Sequence, residues 1–166
     1  MTEWNARRIL KELADPERRR VILADFWRFE DAEGRLAAQV YLAKKLHFRE
    51  VTLRKLPPER KGELLAARLV DPEVEHFLGM GLMQYHLHRA NELMAAFLDF
   101  WKVPHEEGLI GADAGPAPDE ASVRAAVAAL AGSFDPADVR LYLATAGLLM
   151  GDEWQRAMWP VVDEMG

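Results

Sequence analysis

Apolar residues recur along this chain at spacings of three and four and seldom at two, the period of amphipathic helices and not of strands. Trp4, Leu10 and Leu13 fit a first short helix. Asp15-Pro16-Glu17 then marks a helix start. Aspartate accepts from the free backbone N–H groups, proline is preset to helical φ, and glutamate complements the positive end of the dipole. Ile22, Phe26 and Phe29 line one face of this second helix, with Leu23 and Trp27 beside them, and Gly34 is expected to end or interrupt it. Asp71-Pro72-Glu73 and Asp135-Pro136-Ala137-Asp138 repeat the device. The residues after the two Asp-Pro-Glu triplets do not match, so the triplets indicate shared capping chemistry and not duplication.

Leu36, Val40, Ala43 and Leu46 give a third helical stripe. Between Phe48 and Leu56, Val51-Thr52-Leu53 would suit a strand. One isolated strand has no partner here, so helix or irregular turn is the better reading. Leu56-Pro57-Pro58-Glu59 breaks the chain and starts a helix running to about Val70. The longest periodic segment, Pro72 to about Lys102, places His76, Met80, Met83, Leu87, Met94, Leu98 and Trp101 on one stripe. So apolar a girth predicts a central helix buried on several sides. Gly79 and Gly81 would cost it roughly 1 kcal/mol each against Ala, or mark a kink or a close contact. Val103 to Pro118 reads as a long loop. Beyond it lie three helices, carrying Val123, Val127 and Leu130, then Val139, Leu143, Ala146 and Met150, then Trp154, Met158, Val161 and Met165. Pro160 is expected to kink or end the last, and Gly151-Asp152 to separate it from its predecessor. The pattern predicts an all-α fold of about seven or eight helices, an irregular multi-helix bundle or a short helical solenoid. It is read as one domain over residues 1–166, with a subdivision at the 103–118 loop as the alternative.

Composition adds exclusions. Half of the 166 residues are apolar and 29 % are charged, an ordinary globular balance. With no cysteine there is no disulfide framework, thiolate nucleophile or cysteine-ligated metal, which fits a reducing cytoplasm. The N-terminal residues Met1 to Leu10 lack the apolar stretch of a secretory signal. The longest run without a charged side chain, His76 to His88, is 13 residues, below the roughly 18–20 that span a bilayer. A cytoplasmic protein is expected. The net charge of −6 is unevenly laid out. Residues 1–68 hold 16 Lys and Arg against 11 Asp and Glu, and residues 69–166 hold 5 against 16. That polarity suits head-to-tail docking, within one chain or between two.

Candidate chemistry is sparse. Glu73-x-x-His76 has the spacing of di-iron carboxylate bundles, but no second such pair exists, so His76 is read as a core or core-edge histidine. His88 and Glu92, four apart on the predicted central helix, share a face. His86 points about 160° away from His88. Joined by His105 and Glu106 from the loop, His88 and Glu92 form a chemically sensible set for zinc, manganese or iron; no other cofactor is indicated. Ser122 and Ser133 sit in no nucleophile motif, and phosphate-cradling glycine loops are missing, so catalysis is poorly supported. Arg7, Arg8, Lys11 and Arg18 to Arg20, with Lys44, Lys45, Arg54, Lys55, Arg60 and Lys61 further on, raise nucleic-acid binding. Interleaved acids favour a solvated surface instead. Met80, Met83, Met94 and Trp101 suit plain core more than an adaptable groove. Trp154 and Trp159 are candidate interface anchors, expected to be partly exposed. The leading expectation is a non-catalytic cytoplasmic helical module that docks a protein partner or a second copy. A metal-binding protein and a nucleic-acid-binding protein stand behind it.

Overall fold

A computed structural model describes residues 3–166. The all-α expectation holds. Among the described residues the chain forms ten α-helices, one 3₁₀ turn and a single two-stranded hairpin. In order these are α1 (Ala6–Leu13), α2 (Pro16–Phe29), α3 (Ala32–Leu46), α4 (Glu50–Arg54), α5 (Pro58–Ala66), the 3₁₀ turn Pro72–Val74, α6 (Glu75–Arg89), α7 (Asn91–Phe100), the strands β1 (His105–Glu106) and β2 (Leu109–Ile110), α8 (Glu120–Ala129), α9 (Pro136–Met150) and α10 (Asp152–Glu164). The residues gather into two compact units, Ala6–Tyr85 and residues 3–5 with His86–Gly166, so the boundary falls inside α6. The 103–118 segment lies wholly in the second unit.

The capping chemistry works as the sequence indicates. Asp15 accepts from the Arg18 N–H, Asp71 from Glu73 and Asp135 from Ala137, each with a proline at the helix start. Asp119 caps α8 through the Ser122 N–H. Gly34 does not end α2. It lies in the first turn of α3 and donates to the Asp31 cap at 2.7 Å. Pro160 sits inside α10, which continues to Glu164.

In the first unit Ile9, Leu10, Ile22, Leu23, Phe26, Leu42, Leu53, Leu65, Leu78 and Leu82 are fully buried. Helices α2 and α5 pack closely because Gly62 has no side chain. A Cβ there would lie 2.9 Å from the Ala24 nitrogen and 3.1 Å from the Leu23 carbonyl carbon. Phe26 stacks edge-on against Trp27 at 5.2 Å and meets Phe77 at 6.0 Å. In the second unit Phe97, Leu98, Val123, Leu143, Met158 and Val162 are fully buried. Phe97 contacts Trp101 at 5.4 Å and Tyr142 at 5.7 Å. Gly147 lets α9 approach α10, since a Cβ there would run into the Trp159 indole.

Three expectations of packing are corrected. The predicted central helix is two helices, broken at Ala90, whose φ of −124° and ψ of 23° leave the helical range. The buried stripe of its first half is Val74, Leu78 and Leu82; Met80, Met83 and Leu87 are half-buried and His76 is exposed. On α3, Ala38, Tyr41 and Leu42 face inward, while Leu36 and Val40 face out. Periodicity reveals that a helix is two-faced, but α3 has apolar residues on both faces and burial selects the other one.

Candidate functional site

The metal set does not assemble. His88 is the penultimate residue of α6 and Glu92 is the second residue of α7, so the break at Ala90 falls between them and they do not lie on one continuous helix. His105 is already committed at both ring nitrogens. Its Nε2 lies 2.7 Å from Asp99 Oδ1, and its Nδ1 accepts the Gly108 N–H at 3.0 Å. Those bonds anchor the hairpin to the end of α7. Glu106 is exposed on β1, opposite Leu109. Among the described residues no three His, Cys, Asp or Glu side chains come together to hold a metal ion. Glu73 instead pairs with Lys45 at 3.3 Å. His86 is buried against the Tyr142 ring at 5.9 Å while His88 is exposed, in keeping with their opposite directions on α6.

The expected partial exposure of the two tryptophans is corrected as well. Trp154 and Trp159 are 7 % and 3 % exposed. Trp154 packs edge-on against Trp101 at 6.1 Å, and Trp159 donates its indole N–H to the Ala144 carbonyl at 3.2 Å. Both are core residues of the second unit. Amphipathic α10 turns its aromatic face to α9, because Gly147 clears room for the indole.

Several N-terminal cations are spent inside the fold. Arg19 donates to the carbonyls of Leu10, Lys11 and Ala14 and thereby closes the C-terminus of α1. Arg7 reaches the Val70 carbonyl and pairs with Glu75, whose carboxylate also accepts the backbone N–H groups of Ala6 and Arg7. Arg8 pairs with Glu12 one turn on. Arg7, Arg8 and Arg19 of the basic run are thus engaged within the first unit.

The segment that presents chemistry outward is α3–α4. Leu36, Val40, Phe48 and Val51 are 53 %, 46 %, 48 % and 48 % exposed, on two contacting helices and the turn between them. Residues 35–56 carry six Lys and Arg and one acid, Glu50. Arg35, Lys44, Arg49, Arg54 and Lys55 are all exposed. The turn is tightly built: His47 closes α3 in the left-handed conformation at φ 56°, and Phe48 donates back to the Ala43 carbonyl. Beneath it the Tyr41 hydroxyl donates to Asp71 at 2.5 Å, and Lys45 lies 3.6 Å from the same carboxylate. The Tyr41 hydrogen bond and the Glu73 N–H hold the Asp71 carboxyl below its ordinary value. Burial, with Asp71 beside it, pushes the Tyr41 phenol up. Lys45 is raised by its hydrogen bond to Glu73 and by the Asp71 charge. These bonds fix the inner face of α3 and so hold Leu36 and Val40 outward.

A second outward surface lies in the other unit. The Glu107-Gly108 corner of the hairpin has φ of 50° and 90°, the positive values a two-residue type I′ turn needs. A Cβ on Gly108 would meet Met94 Cε at 2.7 Å, so glycine also lets the turn sit down on α7. Trp101 ties the end of α7 to α8 through the Ser122 carbonyl at 3.0 Å. Between residues 103 and 123 there are five acids and no Lys or Arg. Two open recesses, of about 460 and 530 Å³, flank Ile110 to Ala114; the second reaches Met150, Asp152 and Glu153. Leu109 and Met150 are 59 % and 39 % exposed. The sequence showed these acids and the loop, but not the hairpin, whose strands of two residues are too short to leave a period.

The chain matches no family model, no curated protein and no solved structure.

Proposed function

We propose that the chain is a helical protein-interaction module, non-catalytic, whose α3–α4 segment docks a partner presenting apolar side chains among carboxylates. The observation that carries this reading is an apolar helical stripe turned to solvent, Leu36 and Val40, continued by Phe48 and Val51 and bordered by exposed cations. A single exposed leucine needs no explanation, whereas four large apolar side chains within sixteen residues of a rigid surface element do. Burying them against a partner removes apolar area from water, and the surrounding Lys and Arg select for an acidic occupant and speed its approach. Among the described residues no helix is long and apolar enough to cross a membrane. The cysteine-free composition suits action in the cytoplasm.

The test uses a synthetic amphipathic helix with leucines at i, i+3, i+4 spacing and glutamates elsewhere, and a control with lysines in place of the glutamates. The protein binds the acidic peptide, less so as salt rises, and Val40→Ser with Phe48→Ser abolishes binding while leaving the circular dichroism unchanged. Equal binding to both peptides, binding indifferent to the two substitutions, or preference for anionic vesicles or DNA overturns the reading.

A further inference from the structure

The two outward surfaces are complementary in both respects that recognition uses. Residues 35–56 carry six cations and one acid and expose Leu36, Val40, Phe48 and Val51; residues 103–123 carry five acids, of which Glu120 pairs with Arg124, and no cation, and expose Leu109. Asp152, Glu153 and Met150 extend the second surface along the start of α10, beside the 530 Å³ recess, where Arg156 is the one cation in the lining. The contrast persists across the structural units. Ala6–Tyr85 holds 16 Lys and Arg against 13 Asp and Glu, and the rest of the chain holds 5 against 14.

We infer that the occupant of the α3–α4 surface is a second copy of this chain, which presents its hairpin and the start of its α10 in a head-to-tail contact. This rests on the reading of α3–α4 as a docking surface and goes further by naming what docks. The apolar side chains of each surface enter the other, with Leu109 and Met150 against the Val40 and Phe48 strip. The carboxylates Glu106, Glu107, Asp152 and Glu153 meet Lys44, Arg49, Arg54 and Lys55 around the edge. Such a contact is heterologous, because it joins two different patches. Each added copy leaves one patch of each kind open, so assembly continues until a ring closes or a filament grows. Two like patches would instead place cations on cations across a two-fold axis, which costs rather than favours association. Exposed edge charges act mainly on encounter and are screened above roughly 0.15 M salt.

The experiment is light scattering of the full chain and of two variants. One variant, Lys44→Glu with Lys55→Glu, lowers the charge of residues 35–56 from +5 to +1; the other, Asp152→Lys with Glu153→Lys, places two cations on the acidic surface. All four positions are exposed, and circular dichroism checks that both variants fold. The wild type forms species larger than a dimer that dissociate as salt rises. Each variant alone associates at least about tenfold more weakly, the effect of placing like charges across the contact. Mixed in equal amounts, the variants recover the association that neither shows alone, because each supplies the other with an intact surface and the two altered surfaces again carry opposite charges. A wild type that is monomeric at all salt concentrations overturns the inference; so does a mixture that assembles no better than its components, or a basic-surface variant that self-associates as well as the wild type. If the chain is monomeric and still binds the acidic peptide, the docking reading stands and only the second copy as occupant falls.

Discussion

Replacing Gly62 by Ala should destabilise the first unit, although the same change elsewhere in that unit should stabilise it. In a helix interior, Gly→Ala gains about 1 kcal/mol from propensity and the narrower unfolded ensemble. At Gly79, inside α6, an added Cβ has nothing within 4 Å, so that gain is realised in full. At Gly62, inside α5, the Cβ would stand 2.9 Å from the Ala24 nitrogen and 3.1 Å from the Leu23 carbonyl carbon. Both are backbone atoms of α2 and cannot turn aside, so α5 must withdraw from α2. Overpacking of that kind costs about 1–3 kcal/mol, which offsets or exceeds the propensity gain. Gly62→Ala is therefore expected to be up to about 2 kcal/mol less stable than the parent, and Gly79→Ala up to about 1 kcal/mol more stable. The assay is urea unfolding monitored by circular dichroism at 222 nm, comparing midpoints. The two units need not unfold together, so tryptophan fluorescence is read alongside; Trp27 reports on the first unit and Trp101, Trp154 and Trp159 on the second. A Gly62→Ala midpoint at or above that of Gly79→Ala would refute the reasoning, because it would mean that α2 and α5 are not in close backbone contact.

The same geometry sets other expectations. Phe97→Ala removes a fully buried ring between Trp101 and Tyr142 and should cost about 3–5 kcal/mol in the second unit, read from thermal unfolding; a loss under 1 kcal/mol would contradict that packing. Asp71 has a depressed native pKa, so its contribution is present above the ordinary carboxylate value of 3.8 and is lost as pH falls through the lower native value; Asp71→Asn should flatten that acid limb. Tyr41 is shifted the opposite way. Its contribution is complete below pH 10, where the unfolded phenol is still protonated, and is lost as pH rises above 10; Tyr41→Phe should remove this alkaline dependence. Because both ring nitrogens of His105 are engaged, zinc titration should show no stoichiometric site that His105→Ala abolishes.

The helical class and the helix starts marked by proline were legible because they rest on local chemistry, whereas the Asp31 and Asp119 caps were not singled out. Asp15, Asp71 and Asp135 cap with their own carboxylates whatever the rest of the chain does. What was not legible depends on long-range packing. Ala90 carries no breaker signature, and apolar residues continue on both sides of it, so α6 and α7 read as one helix, although His88 and Glu92 lie on either side of the break. Trp154 and Trp159 sit at positions equally suited to core and surface, and only the space at Gly147 and the nearness of Trp101 bury them. The most consequential error of phase was on α3. Leu36 and Val40 formed as regular a stripe as any core helix, yet Ala38 and Leu42 took the inward face. The uneven distribution of charge, by contrast, could be read directly, and it is what gives the outward stripe a chemical complement.

The most direct measurement is the mass of whatever touches Val40. A photo-crosslinking phenylalanine analogue is placed at position 40, with the same analogue at exposed Val70 as control, and adducts are digested and sequenced by mass spectrometry. The account predicts protein adducts at position 40 and not at 70, joined to an acidic peptide, with the chain's own residues 104–118 or 150–156 as that peptide. Lipid or nucleic-acid adducts at position 40, or a yield no greater than at position 70, would contradict it.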